Sequence, residues 1–304
     1  MSDPHSQRRA GLLFGLGAYL AWGVMPLYFK ALAHVSALEI VAHRVIWSMV
    51  FMAALVALWR RWPAIRAALG TGRVLITLLI TTLLIGTNWL IFIYAVVSGH
   101  VLEASLGYYL NPLVNVLLGV VLLKEKLSRA QVFATLLAAA GVAVLAAGAG
   151  SGLWISLTLA ATFAVYGFLR KIVAVDSLEG LSIETALLSP LALAWLVWLQ
   201  ADGSAAFASV TLTTDLLLVL GGAVTAIPLL MFTAAARRLP YSTLGFLQYV
   251  APSLQFLLAV LAFGEPLTTA HLICFAAIWT ALAIFSFEGL RSAHRGRAVQ
   301  AATE

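Results

Sequence analysis

Residues 88–127 return without a gap as residues 228–267, at a constant offset of 140 positions. Pairs that match at this offset are Tyr109 and Tyr249, Pro112 and Pro252, and Glu125 and Glu265. Both copies lie in strongly apolar sequence. A repeat of this kind predicts a membrane protein built from two related halves, an arrangement that is typical of transporters.

The apolar content exceeds that of a soluble domain. Hydrophobic residues make up 62% of the chain and charged residues 10%, whereas soluble domains have roughly half and about a quarter. The apolar residues fall in runs of about 20, which as helices cross a hydrocarbon layer of about 30 Å. We therefore predict an all-α polytopic membrane protein with ten transmembrane helices, at about 11–32, 37–59, 74–96, 101–123, 130–148, 153–172, 182–200, 214–236, 241–263 and 269–288.

The cations predict the orientation of these helices. If the N-terminus is cytoplasmic, 16 of the 18 Lys and Arg residues fall in cytoplasmic segments; the exceptions are Lys30, at the outer end of the first helix, and Arg44, inside the second. This is the positive-inside distribution. It predicts a multi-pass membrane protein with cytoplasmic N- and C-termini. We expect the lipid bilayer as a partner and no nucleic acid, although the sequence pI is about 9.7.

Ten crossings divide into five and five, and an odd number requires the second half to be inverted in the membrane. The predicted organisation is an N-terminal tail (1–10), a first five-helix repeat (11–148), an inverted second repeat (149–290) and a C-terminal tail (291–304). The second helices of the halves match poorly, apart from a glutamate near each start, Glu39 and Glu184. Inverted repeats place a substrate site near the midplane and allow two states, open to opposite sides.

Arg44 is the most costly residue to insert, since an arginine at a membrane centre costs roughly 2.5–3.5 kcal/mol. We expect it to bind a substrate carboxylate or phosphate, or to pair with Glu103 or Glu39; alternatively, it extends to the interface or binds a carbonyl at a helix end. His43 and Glu103 are candidates for proton coupling. The alternatives are a packed neutral histidine and an acid that stabilises a helix N-terminus. We expect no other acid deep in the membrane.

Prolines inside helices free a backbone carbonyl, so Pro26, Pro112 and Pro252 are candidate helix-bending points. Tyr108 and Asn111 are three residues apart and share one helix face. They are expected to line a cavity, although membrane amides also bond across helices. The predicted substrate-binding residues are Trp22, Arg44, Asn88, Tyr108, Asn111, Tyr166, Gln248 and Tyr249.

Small residues in the fifth predicted helix, at 138–143, indicate either a tightly packed support element or a dimer face, so a homodimer is one alternative. The sequence contains no nucleotide-binding loop and no Cys/His metal spacing. An enzyme lacks support, and we expect no cofactor and no metal.

Several stretches resemble the RarD subfamily of EamA-type permeases, in the drug/metabolite transporter (DMT) superfamily. They are residues 15–30, Glu39-Ile40, residues 43–48, Asn88-Trp89 and residues 103–112. The resemblance covers about residues 10–290. It implies a ten-helix inner-membrane permease with a central cavity, alternating access, export of small metabolites or drugs, and peripheral fifth and tenth helices. Ala251 replaces the Asn of the first half's Asn-Pro pair, so the resemblance does not extend to symmetric site chemistry.

Together these patterns predict a secondary-active transporter, a permease or antiporter for a small molecule. The alternative is a membrane receptor or regulatory subunit that binds a small ligand without moving it. The sequence leaves the substrate, the transport direction and the coupling ion open.

Overall fold

The computed structural model describes residues 4–97, 101–147, 153–263 and 269–301. Within these ranges all regular secondary structure is α-helical. The helices are α1 (Pro4–Ala31), α2 (Ala37–Leu58), α3 (Trp62–Gly70), α4 (Gly72–Val97), α5 (Val101–Val121), α6 (Arg129–Ala146), α7 (Leu153–Ile172), α8 (Ser177–Asp202), α9 (Leu212–Arg238), α10 (Tyr241–Gln248), α11 (Val250–Phe263) and α12 (Thr269–Ala301).

Many of these helices are suited to a membrane. Among the described residues, seven helices are long and apolar enough to cross one, namely α1, α2, α4, α6, α7, α8 and α9. Shorter apolar helical stretches, Leu106–Val121 and Leu272–Phe285, lie in α5 and α12. The prediction of an all-helical, multi-pass membrane protein is therefore confirmed.

Two features depart from ten simple spans. The short helix α3 lies between the second and third predicted runs, with a proline in its first turn. The ninth predicted run is divided at Tyr249 into α10 and α11. Pro252 lies three residues after this break and has no amide to donate to the Gln248 carbonyl, which explains why the helix is interrupted there. Pro26 and Pro112 instead lie inside the uninterrupted helices α1 and α5.

The helices pack in matched pairs. Helix α1 contacts α9 and α11, and α7 contacts α4 and α5; α2 contacts α8 and α9, and α8 contacts α2 and α4. Helix α5 also contacts α10, and α6 contacts α12. If α1, α2, α4, α5 and α6 are exchanged with α7, α8, α9, α10–α11 and α12, this set of pairs is unchanged.

The small residues of α6 pack within the chain. A Cβ atom added to Gly141 would lie 2.7 Å from the Cβ of Ala277 and 3.2 Å from the carbonyl oxygen of Cys274, both on α12. The buried Ala138 and Gly141 match the alternative of a tightly packed support element, whereas Ala140 and Ala143 of the same stretch are exposed. The homodimer stays a prediction.

The helix connections gather at two ends, which we name after a buried glutamate. The Glu39 end contains residues 32–36 and 203–211, and the Glu179 end contains residues 59–71 and 173–176. At the Glu39 end, Oε1 of Glu39 accepts hydrogen bonds from the amides of Ala206 (2.7 Å) and Phe207 (3.1 Å). At the Glu179 end, Oε1 of Glu179 accepts a 2.5 Å hydrogen bond from Nε of Arg61.

Candidate functional site

Arg44 lies seven residues after the start of α2 and points toward α9. Its Nε donates a 2.8 Å hydrogen bond to Oγ1 of Thr225, whose hydroxyl in turn donates to the Gly221 carbonyl oxygen at 2.7 Å. The guanidinium carbon lies 5.4 Å from the ring centroid of Phe29 and 5.5 Å from that of Trp89. Both distances are within the range of a cation–π interaction.

Glycines on α9 make this arrangement possible. A Cβ on Gly221 would lie 2.7 Å from Oη of Tyr28 and 3.1 Å from Cγ of Arg44, and one on Gly222 would overlap the backbone of Trp47. The hydroxyl of Tyr28 donates a 3.0 Å hydrogen bond to the Leu217 carbonyl oxygen on the same helix α9. Without side chains at these two positions, α9 lies directly against α2 and leaves room for the arginine.

The guanidinium has no carboxylate partner among the residues that the structure describes. Its two terminal nitrogens make no hydrogen bond within those residues. Glu39, one predicted partner, instead binds the amides of residues 206 and 207. The side chain of Glu103, the other predicted partner and a proton-coupling candidate, lies outside the described part of the structure.

The residues around Arg44 are half-buried, so the protein does not fully enclose them. Tyr108 is close enough to the guanidinium to interact with it electrostatically, and its ring lies 5.9 Å from that of Phe92. We define the Arg44 site as Tyr28, Phe29, Arg44, Trp89, Tyr108 and Thr225; all except the buried Thr225 are half-buried. It combines one cation, three hydroxyls and aromatic faces.

Two predicted amides are engaged between helices. Nδ2 of Asn88 donates to the Leu159 carbonyl oxygen (3.0 Å) and to Oγ1 of Thr162 (2.9 Å), both on α7. Nδ2 of Asn111 donates to the Ala160 carbonyl oxygen at 3.3 Å. Both asparagines are buried. These bonds match the interhelical alternative, and a role of either amide in binding a solute stays a prediction.

Gln248, at the end of α10, and Tyr249, which follows it, lie apart from the Arg44 site. Oε1 of Gln248 accepts a 2.8 Å hydrogen bond from Nδ2 of Asn115 on α5. Tyr249 is buried in a cluster with Tyr109 and Phe275, at the contact of α5, α6 and α12. The structure does not place Gln248 or Tyr249 in direct contact with Arg44.

Trp22 and Tyr166 belong to a packed aromatic cluster. The Trp22 ring lies 5.7 Å from the rings of Phe163 and Phe232, and Tyr166 stacks on Phe232 at 6.5 Å. Tyr19 completes the group, with its centroid 5.7 Å from that of Trp22. We name these five residues the aromatic cluster. It joins α1, α7 and α9 and encloses Tyr166 completely.

His43 is buried and accepts a hydrogen bond. Its Nδ1 lies 3.3 Å from the indole N–H of Trp47, and its Nε2 lies 4.0 Å from Oε1 of Glu39. A cavity of about 250 Å³ beside it is bounded by Phe207 and Leu196, among others. Because a nitrogen that accepts an N–H carries no proton, this geometry matches a neutral histidine. Proton coupling through His43 stays a prediction.

A second charged group was missed from the sequence. Glu184 lies on α8 with 1% of its surface exposed, so the protein encloses this acid, which was not among the candidate site residues. The seventh run was predicted to start at residue 182, but α8 begins at Ser177 and places Glu184 two turns inside. The repeat offered a signal, because its offset of 140, continued beyond residues 88–127, relates Arg44 to Glu184. The same offset relates Glu39 to Glu179 rather than to Glu184, with which the sequence comparison had matched it.

The Glu179 end carries an ion network. Arg61 contacts Glu179 at 2.5 Å and Asp176 at 3.1 Å, and Arg237 contacts Asp176 at 3.3 Å. The hydrogen bond and charge of Glu179 raise the pKa of Arg61 above its ordinary value, so Arg61 keeps its charge. Nearby, both carboxylate oxygens of Glu125 bind the first residues of α10.

Comparison with known proteins agrees with a transporter. Residues 9–147 match the EamA-like transporter family. An uncharacterized transporter of Vibrio cholerae is 48% identical over 98% of both chains, and Protein RarD of Escherichia coli is 45% identical over 95% of this chain and 98% of that one. The uncharacterized transporter YojE of Bacillus subtilis is 40% identical over 94% and 97%.

A solved crystal structure shares the fold, with a TM-score of 0.70 and 24% identity over 91% of this chain and 97% of that chain. The names of the family and its members indicate a membrane transporter rather than an enzyme. The chain belongs to the RarD group of EamA-like transporters, within the drug/metabolite transporter superfamily.

Proposed function

We propose that this protein is a secondary-active transporter that moves a small organic anion across the bacterial inner membrane by alternating access. The observation that carries the proposal is Arg44. Its side chain lies within the helical bundle, has no carboxylate partner among the described residues, and is surrounded by aromatic and hydroxyl groups.

A charge in this position favours an anionic solute. A central arginine costs roughly 2.5–3.5 kcal/mol to insert, and the one hydrogen bond that Arg44 donates to Thr225 offsets only part of this cost. A carboxylate or phosphate can accept two parallel hydrogen bonds from a guanidinium, and the Nη atoms of Arg44 are available for them. Phe29, Trp89 and Tyr108 would pack against the apolar part of the same solute.

The paired packing of the helices supports an inverted repeat of five helices in each half. Each helix pair named for the overall fold is matched by another pair, or by itself, when the two sets of helices are exchanged. In this arrangement α10 and α11 together form the ninth span and α12 the tenth. Halves related in this way can exchange conformations, which opens the central site first to one side and then to the other.

The cations support the orientation. The Glu179 end contains Arg60, Arg61 and Arg66, and Arg73 follows in the first turn of α4, whereas residues 203–211 at the Glu39 end contain no Lys or Arg. The positive-inside rule therefore assigns the Glu179 end to the cytoplasm. With this orientation, the proposal is that the aromatic cluster and the Arg61 network close the cytoplasmic side, and that the half-buried Arg44 site lies in the periplasmic half.

Flux in proteoliposomes tests the proposal. Purified protein is supplied with labelled organic acids, amino acids and amines, with and without a pH gradient. We expect saturable flux of one anionic class, abolished in Arg44→Ala and reduced in Arg44→Lys, because an ammonium lacks the planar fork of donors. Arg66→Ala, which removes a cation from the exposed face of α3, is the matched control and should retain flux.

Two outcomes would contradict this assignment. Wild-type flux in a normally inserted Arg44→Ala protein would exclude Arg44 as the anchor. Solute-dependent thermal stabilisation without any flux would favour the alternative of a receptor or regulatory subunit.

A further inference from the structure

A buried acidic group lies in the cytoplasmic half, away from the Arg44 site. Oε1 of Glu184 accepts a 2.6 Å hydrogen bond from the hydroxyl of Thr81 on α4, and Oε2 accepts one of 3.2 Å from Tyr166 on α7. The only cation that contacts this carboxylate, among the described residues, is Arg170, whose Nε lies 3.8 Å from Oε1. Glu184 and Arg170 are both completely enclosed by protein.

This group occupies the position that corresponds to Arg44. Arg44 packs against Gly221 of α9, and Glu184 bonds to Thr81 of α4. Both pairs are related by the same offset of 140, since 44 + 140 is 184 and 81 + 140 is 221. The two halves therefore place a cation and an acid at equivalent points.

The pair lacks the geometry of a fixed structural salt bridge. At 3.8 Å the Arg170 Nε does not hydrogen-bond to the carboxylate, and both Nε and Nη1 of this buried arginine have no acceptor in the described structure. A strong arginine–carboxylate pair is hydrogen-bonded, often through two parallel bonds. The carboxylate is instead held mainly by two neutral hydroxyls.

Hydroxyl partners suit a carboxyl group that gains and loses a proton. The hydroxyls of Thr81 and Tyr166 donate hydrogen bonds to the ionised carboxylate. When the carboxyl group is protonated, the hydroxyl oxygen of either residue can accept a hydrogen bond from it. Both states can thus be satisfied without rebuilding the site.

We propose that Glu184 is the site at which the coupling ion, a proton, binds during transport. The inference rests on the proposed alternating-access function, in which opening of the Glu179 end admits water to Glu184. The carboxylate then takes up one proton to become a carboxylic acid, or releases it, and no other bond changes. Burial favours the neutral form and hydration the charged one, so the two conformations differ in proton affinity.

The charges around Glu184 are few. Helix α7 contributes Arg170 and the phenol of Tyr166, and α4 contributes the uncharged Thr81. On α8 itself, Glu179 lies five residues earlier and is bound to Arg61. No charged group of α2 or α9 contacts the carboxylate in the residues that the structure describes.

Infrared difference spectra of the reconstituted wild-type protein between two pH values test proton binding directly, with the proton as the only ligand. We expect a carbonyl stretching band of a protonated carboxylic acid, lost in Glu184→Gln and retained in the matched variant Glu179→Gln. Glu184→Asp keeps a titratable group and should shift the pH midpoint of the band. Persistence of the band in Glu184→Gln would overturn the proposal.

Transport provides the second arm, with the labelled panel member that shows the largest wild-type flux. Glu184→Gln should lose stimulation by a pH gradient but keep solute exchange without a gradient, which also shows that the variant is folded. Gradient-stimulated flux in this variant would contradict the assignment. Absence of wild-type flux for the whole panel would count against the transporter function, while the infrared result would still decide whether Glu184 binds a proton.

Discussion

Glu39 and Glu179 occupy equivalent positions at opposite ends of the molecule, 140 residues apart, yet they bind different groups. Glu39 accepts hydrogen bonds from two backbone amides in the connection between α8 and α9. Glu179 binds the side chain of Arg61, in the connection between α2 and α3. In each case a buried acid at the start of one helix holds the connection that follows its counterpart helix.

The difference follows from where the chain places its cations. Residues 203–211 contain no Lys or Arg, so backbone amides are the donors available to Glu39. The connection at the other end contains Arg60 and Arg61, and Glu179 binds the guanidinium of Arg61 instead of backbone amides. The charge asymmetry that orients a membrane protein therefore also determines which groups hold the helix connection at each end.

The deeper pair shows the same contrast in charge. The guanidinium of Arg44 has no acid partner among the residues that the structure describes, whereas Glu184 has Arg170 at 3.8 Å. A charged side chain without a partner in the protein can be neutralised by a bound solute. A charged side chain with a partner in the protein needs no solute to be neutralised. Related halves can thus divide solute binding and ion coupling between equivalent positions.

The largest expected effect comes from removing Arg170 and Arg44 separately. Arg170→Met leaves an ionised Glu184 without its nearest cation and the Ser177 carbonyl oxygen without its donor, at a cost of up to about 3–5 kcal/mol that proton uptake by Glu184 would reduce. Arg44→Met removes a half-buried charge that no described carboxylate compensates, which offsets the lost hydrogen bond to Thr225, so the free energy of unfolding should fall much less even though flux is lost. Thermal unfolding of both variants in the same detergent and at the same pH measures the difference.

The double variant Arg170→Met/Glu184→Gln is the control for this comparison. Because it removes both charges, it should recover most of the stability lost in Arg170→Met. Equal destabilisation by Arg170→Met and Arg44→Met would show that the charges of the two arginines contribute equally to stability, which would contradict the distinction between them.

A smaller effect should separate the two glutamates. Glu39→Ala leaves the buried amide of Ala206 without an acceptor, at a cost of about 1–3 kcal/mol. Glu179→Ala should cost less, up to about 1 kcal/mol, because Arg61 is 42% exposed and keeps Asp176 as a partner. Glu179 also has a second carboxylate oxygen that is buried without a hydrogen bond, which lowers its net contribution.

Chemical or thermal unfolding of both alanine variants, with Glu39→Gln as the conservative control, tests this order. Glutamine retains one acceptor oxygen and should restore part of the loss. A Glu179→Ala protein that is less stable than Glu39→Ala would reverse the assignment of strong and weak contacts.

Much of the fold could be predicted from the sequence, because apolar runs of membrane length directly determine long helices. The predicted runs coincide with helices throughout the described ranges. The short helix α3 was missed because nine residues that include Pro63 and Arg66 are neither long nor uniformly apolar. The sequence predicted a bend at Pro252 but not the interruption of the helix at Tyr249. A proline weakens a helix over the preceding turn, and its position alone does not specify the residue at which the helix ends.

The candidate site was less accessible from the sequence. Arg44 was identified because a cation inside an apolar run is conspicuous. Glu184 lay too close to the predicted start of its run to be recognised, and its contacts with Arg170 and Thr81 depend on tertiary packing. Asn88 and Asn111 illustrate the opposite problem, because an amide that binds a neighbouring helix has the same sequence pattern as one that binds a solute.

The smallest expected effect concerns Asp176, which connects the two arginines of the Glu179 end. Its side chain is 61% exposed and contacts Arg61 at 3.1 Å and Arg237 at 3.3 Å. Exposed ion pairs contribute up to about 1 kcal/mol. Arg61 keeps Glu179, and Arg237 keeps the carbonyl oxygens of Val173 and Val175. Asp176→Asn should therefore lower the unfolding temperature only slightly.

Salt distinguishes this contact from those at the Glu39 end. The screening length falls to about 3 Å near 1 M salt, so the difference between wild type and Asp176→Asn should disappear there. The loss in Glu39→Ala should persist, because buried amides rather than exposed charges cause it. Measuring both variants at low and high salt tests the distinction between the ends, and a salt-independent effect of Asp176→Asn would place its contacts in a drier environment than the structure indicates.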